Sequence, residues 1–225
     1  MKLEKKDFIE IEFTGRVKDR DVFDSNIKKD LEKLNPDITP KPVIICLGER
    51  MFLKAIDDFL TGKELGNYEI ELSPEKAFGV RLPKLIQKVP MKLFSSQNLV
   101  PQQGAVFNFD GRIAKVLSVS GGRVMVDFNH PLSGKNVSYE IHVLRKIEDL
   151  NEKIKALINF LFKRDFEFEI REKKLIIKKV EKEMINFVQL FKDKFKEFFD
   201  LELEAEEIEE ETGEEIKSKE TKEEK

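Results

Sequence analysis

The chain has no tryptophan, one cysteine, two histidines and two tyrosines. With Cys46 alone there is no intrachain disulfide framework, and inside the apolar run VIICLG this residue reads as a small buried hydrophobe. His130, His142 and Cys46 are the only soft ligands, and no two of them have the spacing a zinc site needs; the expectation is no metal and no cofactor. No Gly-x-Ser-x-Gly elbow exists, and two histidines leave little room for a nucleophilic triad. Gly-rich phosphate loops are absent too; the Gly121-Gly122 pair lies between two strand-like runs and reads as a hairpin turn. No stretch approaches the roughly 18 apolar residues of a membrane-spanning helix, and the start, MKLEKKDFIEIEF, is too charged for a secretory leader. A soluble, cytoplasmic chain without a membrane partner is expected. Charge of one sign is missing as well. The 41 Lys and Arg nearly balance the 44 Asp and Glu, for a net charge of −3, so nothing pulls the chain globally toward nucleic acid.

What is abundant is paired charge and phenylalanine. Charged residues make up 38% of the 225, against roughly 25% in an average globular chain. The hydrophobic 40% includes 19 Phe, enough for a substantial core. Residues 7–17, DFIEIEFTGRV, alternate as a half-buried strand does, and VFDS resumes extended structure after a turn. Residues 26–42 form a polar loop with prolines at 36, 40 and 42, and KKDLEKL suggests a short helix within it. VIICLG is a buried strand. RMFLKAIDDFLTG has helical apolar spacing stopped by Gly62, and NYEIEL is again a strand. Residues 80–127, with Asp110-Gly111 and Gly121-Gly122 as hairpin signals, read as a small all-β unit, and VSYEIHVLRKIEDL as a last strand. Beyond residue 151, EKIKALINFLF predicts a helix, DFEFEIREKKLIIKKV two strands around a charged turn, and EKEMINFVQLFKDKFKEFF one amphipathic helix. The last carries Phe187, Leu190, Phe191, Phe195 and Phe198 or Phe199 on one face. From Glu204 the acidic tail is expected to be disordered. The fold class is α+β.

Taken in order, FTG, FDS, LGERMFLKAIDDFLTGKELG, SPEKAFG and VSYEIHVL resemble an FKBP-type peptidyl-prolyl isomerase. The run after AFG that closes with VDFNHPLSGK resembles the SlyD-like branch, whose flap loop is interrupted by an inserted chaperone domain. The resemblance covers residues 1 to about 150; residues 151–203 resemble, more weakly, the extra C-terminal domain of long archaeal members. It implies an isomerase domain at 1–79 and 128–150, a chaperone domain at 80–127, a C-terminal α+β domain at 151–203 and an acidic tail at 204–225.

The resemblance further implies a curved antiparallel sheet wrapped on a short helix, with the substrate groove between them. Asp24, Phe78 and Phe13 are then the catalytic residues. Phe23, Phe52, Leu53, Ile56 and Tyr139 line the groove, and His130, Pro131 and Leu132 form its rim. Leu85, Ile86, Val89, Met91, Leu93 and Phe94 are candidates for an apolar chaperone patch. The implied partners are unfolded or partly folded proline-containing polypeptides, and a homodimer through the C-terminal Phe face is an added expectation. This chain departs from the family pattern at Ile56, where Trp often floors the groove, at Val43, where an aromatic often stands, and at Phe13 and Phe78, which lack a Tyr hydroxyl. These departures make the groove shallower and leave a second reading open: a holdase or assembly module whose isomerase activity is weak or lost.

Overall fold

The computed structural model describes residues 2–17, 21–34, 37–109 and 111–208. They divide into two compact units, one within residues 2–3, 10–43 and 52–145 and the other within residues 4–9, 44–51 and 146–208.

The first unit contains two sheets. β1 (Phe8–Val17), β2 (Val22–Ser25), α1 (Lys28–Leu34), β3 (Val43–Cys46), α2 (Lys54–Leu60) and β4 (Gly66–Leu72) come first in the chain. β5 (Ile86–Pro90), α3 (Met91–Ser95), β6 (Val106–Phe109), β7 (Arg112–Ser120), β8 (Arg123–Asp127) and β9 (Val137–Lys146) follow. One sheet runs β2-β1-β9-β4, with β3 also on β1. Period-two burial sets its inner face: Ile9, Ile11 and Phe13 on β1, and Val137, Tyr139, Ile141 and Val143 on β9. The short α2 buries Ile56 and Leu60, four residues apart on one face. The other sheet runs β5-β8-β7-β6, all antiparallel, over a core of Phe94, Ala114, Val116, Val124 and Val126. This region is not all β as the sequence suggested. Met91–Ser95 is helical, and it brings Phe94, fully buried, against Phe107 and Phe109 at centroid distances of 5.4 Å each.

The second unit adds α4 (Leu150–Phe162), β10 (Phe168–Arg171), β11 (Lys174–Val180), α5 (Lys182–Gln189), α6 (Lys192–Phe199) and β12 (Glu202–Glu207). The Asp149 side chain caps α4 by accepting from the Glu152 N–H at 2.8 Å. The helix buries Ile154, Leu157, Ile158 and Phe162. Phe8, Cys46 and Ile147 join this core, which answers how so small a hairpin-and-helix arrangement covers its apolar faces.

Two sequence expectations are overturned here. The expected single helix at the end of this unit is two. Leu190 and Phe191 donate to carbonyls only three residues back, at 3.2 and 3.1 Å, which tightens the turn and breaks the helix. The break carries Val188 and Phe195 into the core, leaves Phe187 and Leu190 42% and 76% exposed, and half-buries Phe191, Phe198 and Phe199. The tail expected to be disordered from Glu204 instead begins as a strand. β12 pairs parallel with β11, in register Leu175↔Leu203 and Ile177↔Ala205, and Leu203 is buried. Residues 209–225, the rest of that expectation, lie outside the described residues.

Candidate functional site

Gly15 is the floor on which the site is assembled. β1 pairs β2 with Gly15 opposite Asp24, and the register slips between Gly15 and Arg16. A Cβ on Gly15 would lie 2.8 Å from the Phe23 ring and 2.9 Å from the Tyr139 ring, so both rings rest on its bare backbone. Ser25, the third residue of FDS, is buried and donates from its hydroxyl to the Phe13 carbonyl at 3.0 Å, while Asn26 accepts from the Phe13 N–H at 2.7 Å. Thr14 donates to Asp30 at 3.1 Å, and Arg16 pairs with the same carboxylate at 3.2 Å. A polar network behind β1 and β2 thus fixes Phe13 and Phe23 in place.

The aromatic side chains then meet in a continuous cluster. Phe52 sits 4.7 Å from Phe13 and 5.4 Å from Tyr139, between centroids. Phe23 contacts Tyr139 at 5.7 Å and Phe78 at 5.6 Å, both edge to face. Phe78 stacks on His130 at 4.9 Å with ring planes 2° apart. Sequence reasoning named all six. Ile56 is fully buried on α2. Leu53 caps that helix in extended geometry, and its carbonyl accepts from the Ile56 and Asp57 N–H groups at 2.8 and 3.1 Å. The Leu53 N–H donates to no backbone carbonyl among the described residues, as expected at a helix start.

Asp24 lies at the edge of the cluster. It keeps one side open to solvent, yet the ring mass beside it desolvates the carboxyl and pushes it above its ordinary value, against the Ser25 N–H that favours the charge. Burial, and then the Asp24 charge, push the Tyr139 phenol well above its ordinary range. No cation pairs with Asp24 among the described residues. The linkage sign is fixed by this direction. The unfolded chain ionises Asp24 first, so native stability falls as pH rises from the ordinary carboxylate value through the folded one. Asp24→Asn is therefore expected to melt higher than the wild type at neutral pH and level with it near pH 3, about where the unfolded carboxylate protonates. Melting curves across pH check this; an Asn variant less stable at neutral pH contradicts it.

The rim is pinned by hydrogen bonds. The Ser133 hydroxyl donates to the Phe78 carbonyl at 2.9 Å and the Gly134 N–H to the Gly79 carbonyl at 2.9 Å, tying the NHPLSGK loop to the AFG turn. Gly134 holds φ at 75°, where a side chain would be strained, and a Cβ there would press on Arg81. Leu132, half-buried, donates its N–H to His130 Nδ1 at 3.2 Å, and Pro131 is exposed.

Sequence reasoning missed the residue that ties this loop to the chain leaving for the second sheet. The Asn129 carboxamide accepts from the Leu82 N–H at 2.8 Å and donates to the Leu82 carbonyl at 3.1 Å and to Asp127 at 2.6 Å. The second Asp127 oxygen meets the Arg81 guanidinium at 2.5 Å. Burial opposes the Asp127 charge, but the Asn129 bonds and Arg81 outweigh it and hold the carboxyl below its ordinary value.

The residues of the expected chaperone patch differ in exposure. Phe94 is core, Val89 and Met91 pack against that core, Leu85 and Ile86 are half-buried, and only Leu93 stands out at 55% exposure. The most exposed apolar side chains of this sheet are Val106 and Ile113, at 60% and 62%, with Val119 at 38%. β6 and β7 alternate, turning Phe107 and Ala114 inward and Val106 and Ile113 outward.

A glycine-floored aromatic cluster thus lies beside a short helix start, with one desolvated carboxylate and no nucleophile among its members. Known proteins bear on its chemistry. The family described as "FKBP26, IF domain" matches residues 87–132. A short-type peptidyl-prolyl cis-trans isomerase of Methanocaldococcus jannaschii is 28% identical over 145 residues, 63% of this chain and 92% of that one. The FKBP-type 16 kDa peptidyl-prolyl cis-trans isomerase of Escherichia coli is 34% identical over 110 residues, covering 46% of this chain and 73% of its own. The FKBP-type isomerase SlyD of Helicobacter pylori is 29% identical over 140 residues, 60% and 70% of the two chains. The chain belongs to the FKBP-type peptidyl-prolyl cis-trans isomerases and is an isomerase enzyme.

Proposed function

We propose that the protein accelerates cis–trans isomerisation of X-Pro bonds in unfolded or partly folded polypeptides, with the Phe13, Phe23, Phe52, Phe78 and Tyr139 cluster as the groove that receives the proline. The observation that carries this is the continuous set of ring contacts from Phe13 to His130. Rotation about the C–N bond makes and breaks no covalent bond, so the task is to lower a barrier of about 18–20 kcal/mol set by amide resonance. A planar amide is more polar than its twisted transition state. An apolar surface destabilises the first more than the second, which is differential binding of the kind catalysis needs. In this reading the Leu53 N–H holds a substrate carbonyl beside the proline, and Asp24 faces the twisting amide as the single charge of the groove.

In this reading residues 1–79 and 128–150 form the isomerase domain, and residues 80–127 capture unfolded chain beside it. Leu93, Val106 and Ile113 supply exposed apolar surface for that capture, and proximity raises the local concentration of prolines at the groove. The same three residues favour a second reading, a holdase with little catalysis. A refolding protein whose slow phase is proline-limited separates the two. Substoichiometric full-length protein is expected to accelerate that phase; suppression of aggregation with an unchanged slow phase would favour the holdase.

A further inference from the structure

The wall shared by the rim and the second sheet carries an excess of positive charge. A cleft of about 350 Å³ is lined by Arg81, Asp127, Asn129, His130, Pro131, Ser133 and Lys135 on one side, and by Val106, Ile113, Lys115 and Leu117 on the other. Its charged members are three cations and one anion. The anion is already committed, since Asp127 gives one oxygen to Asn129 and the other to Arg81. Lys115 and Lys135 have no ion-pair partner among the described residues, and both are exposed. This stands out in a chain whose net charge is −3 and whose other lysines are often paired, as Lys146 is with Asp7 and Lys178 with Glu169.

The cleft is apolar between its cations. Val106 and Ile113, both largely exposed, line it, and Pro131 and Leu117 add to the lining. It also abuts the groove, because His130 lines the cleft and stacks on Phe78. A polypeptide with its proline among the rings passes its neighbouring residues over Pro131 into this space.

We propose that the cleft is a specificity subsite for acidic side chains near the proline, so that mixed apolar and acidic segments of unfolded polypeptide are the preferred substrate class. This rests on the isomerase reading of the adjoining groove. Apolar side chains of the segment cover Val106 and Ile113, and its carboxylates meet Lys115 and Lys135 and the solvent-facing side of Arg81. Attraction at this wall acts on ground state and transition state alike, so it lowers KM and leaves kcat unchanged. It also speeds encounter with acidic chains.

The test uses full-length protein and short unlabelled peptides that differ only in carrying Glu, Gln or Lys beside a single Phe-Pro unit, with isomerisation read by NMR exchange spectroscopy. At subsaturating peptide, the Glu form is expected to exchange about fivefold faster than the Gln form, and the Lys form slower, in line with two exposed charge pairs. The Glu advantage is expected to vanish in the double variant Lys115→Gln/Lys135→Gln, and to fade at about 0.5 M salt as screening shortens the Debye length. The Gln peptide's rate is expected to be the same in both proteins. Equal rates for Glu and Gln peptides in the wild type, or a Glu preference that survives the double variant, overturns the subsite while leaving the isomerase reading intact. Absence of exchange on every peptide overturns both.

Discussion

Asp24→Ala combined with Phe78→Ala is expected to return a proline-limited refolding phase to its uncatalysed rate, tens to hundreds of seconds. Phe78 holds two ring contacts at once, edge to face with Phe23 and stacked on His130. Each such pair is worth about 0.5–1.5 kcal/mol. Losing both also lets water reach the position where the amide must stay desolvated, so the single Phe78→Ala change is expected to lower kcat/KM by roughly 10–100-fold, at about 1.4 kcal/mol per factor of ten. Asp24→Ala removes the one charge facing the groove, and the two effects are expected to combine to at least a hundredfold or so. Phe78→Tyr keeps both ring contacts and is expected to stay within about threefold of wild type. The Phe78 carbonyl that receives Ser133 is main chain, so the rim keeps this bond in each variant. A double variant with native circular dichroism and full acceleration would remove these residues from the mechanism.

Ending the chain after Leu201 is expected to destabilise the second unit by several kcal/mol, whereas ending it after Ile208 changes its melting little. The shorter chain loses the whole of β12 and with it the pairing of Leu203 and Ala205 beside Leu175 and Ile177. Leu203 is 1% exposed, so its loss opens a cavity costing about 2–5 kcal/mol, before the backbone bonds of the parallel pair are counted. Against a typical stability of about 5–15 kcal/mol this is a large share. The longer truncation keeps the Ile208 N–H on the Val180 carbonyl at 3.1 Å, the last bond described in that strand. Calorimetry on the two truncations decides the matter, and equal melting temperatures would show that β12 contributes nothing.

The strand just discussed marks where sequence reading ran out. ELEAEE has four glutamates in six residues, and by composition it belongs with the acidic run after it. Its alternation, Leu203 and Ala205 between charges, is the weak signal of a half-buried strand, and only the partner β11 makes it worth forming. The helix break at Leu190 had no signal of the usual kind, since neither Gly nor Pro occurs from Glu181 to Phe199. Tertiary packing of Val188 and Phe195 decided it against a stripe that runs through at helical spacing. The exposed apolar positions of the second sheet depended on register. Val106 and Ile113 differ from Phe107 and Ala114 only in which way the pleat turns them, and composition cannot supply that.

More of the site was legible through the family resemblance, which rests on short runs in a fixed order rather than on any single residue. FTG, FDS, MFL, AFG, NHPLSG and SYE delivered five rings and a histidine that do meet. What stayed hidden were supporting roles. Gly15 is plain within FTG, but its contact with two rings needs coordinates. Asn129 opens the loop that drew attention in the sequence, yet its carboxamide looks away from the groove, toward Leu82.

That orientation bears on the proposal that residues 80–127 interrupt the isomerase domain, and on how such an interruption costs little. Asn129 imitates a peptide unit and holds both the N–H and the carbonyl of Leu82, so the two points where the chain departs and returns are kept close together. To the rest of the domain, everything between them is equivalent to a tight turn. The entropy of closing such a loop grows only logarithmically, by about 0.6 kcal/mol per doubling of its length. The intervening sequence is thereby free to lengthen, shorten or be exchanged as a cassette, provided that it folds by itself and leaves the Leu82–Asn129 stitch in place.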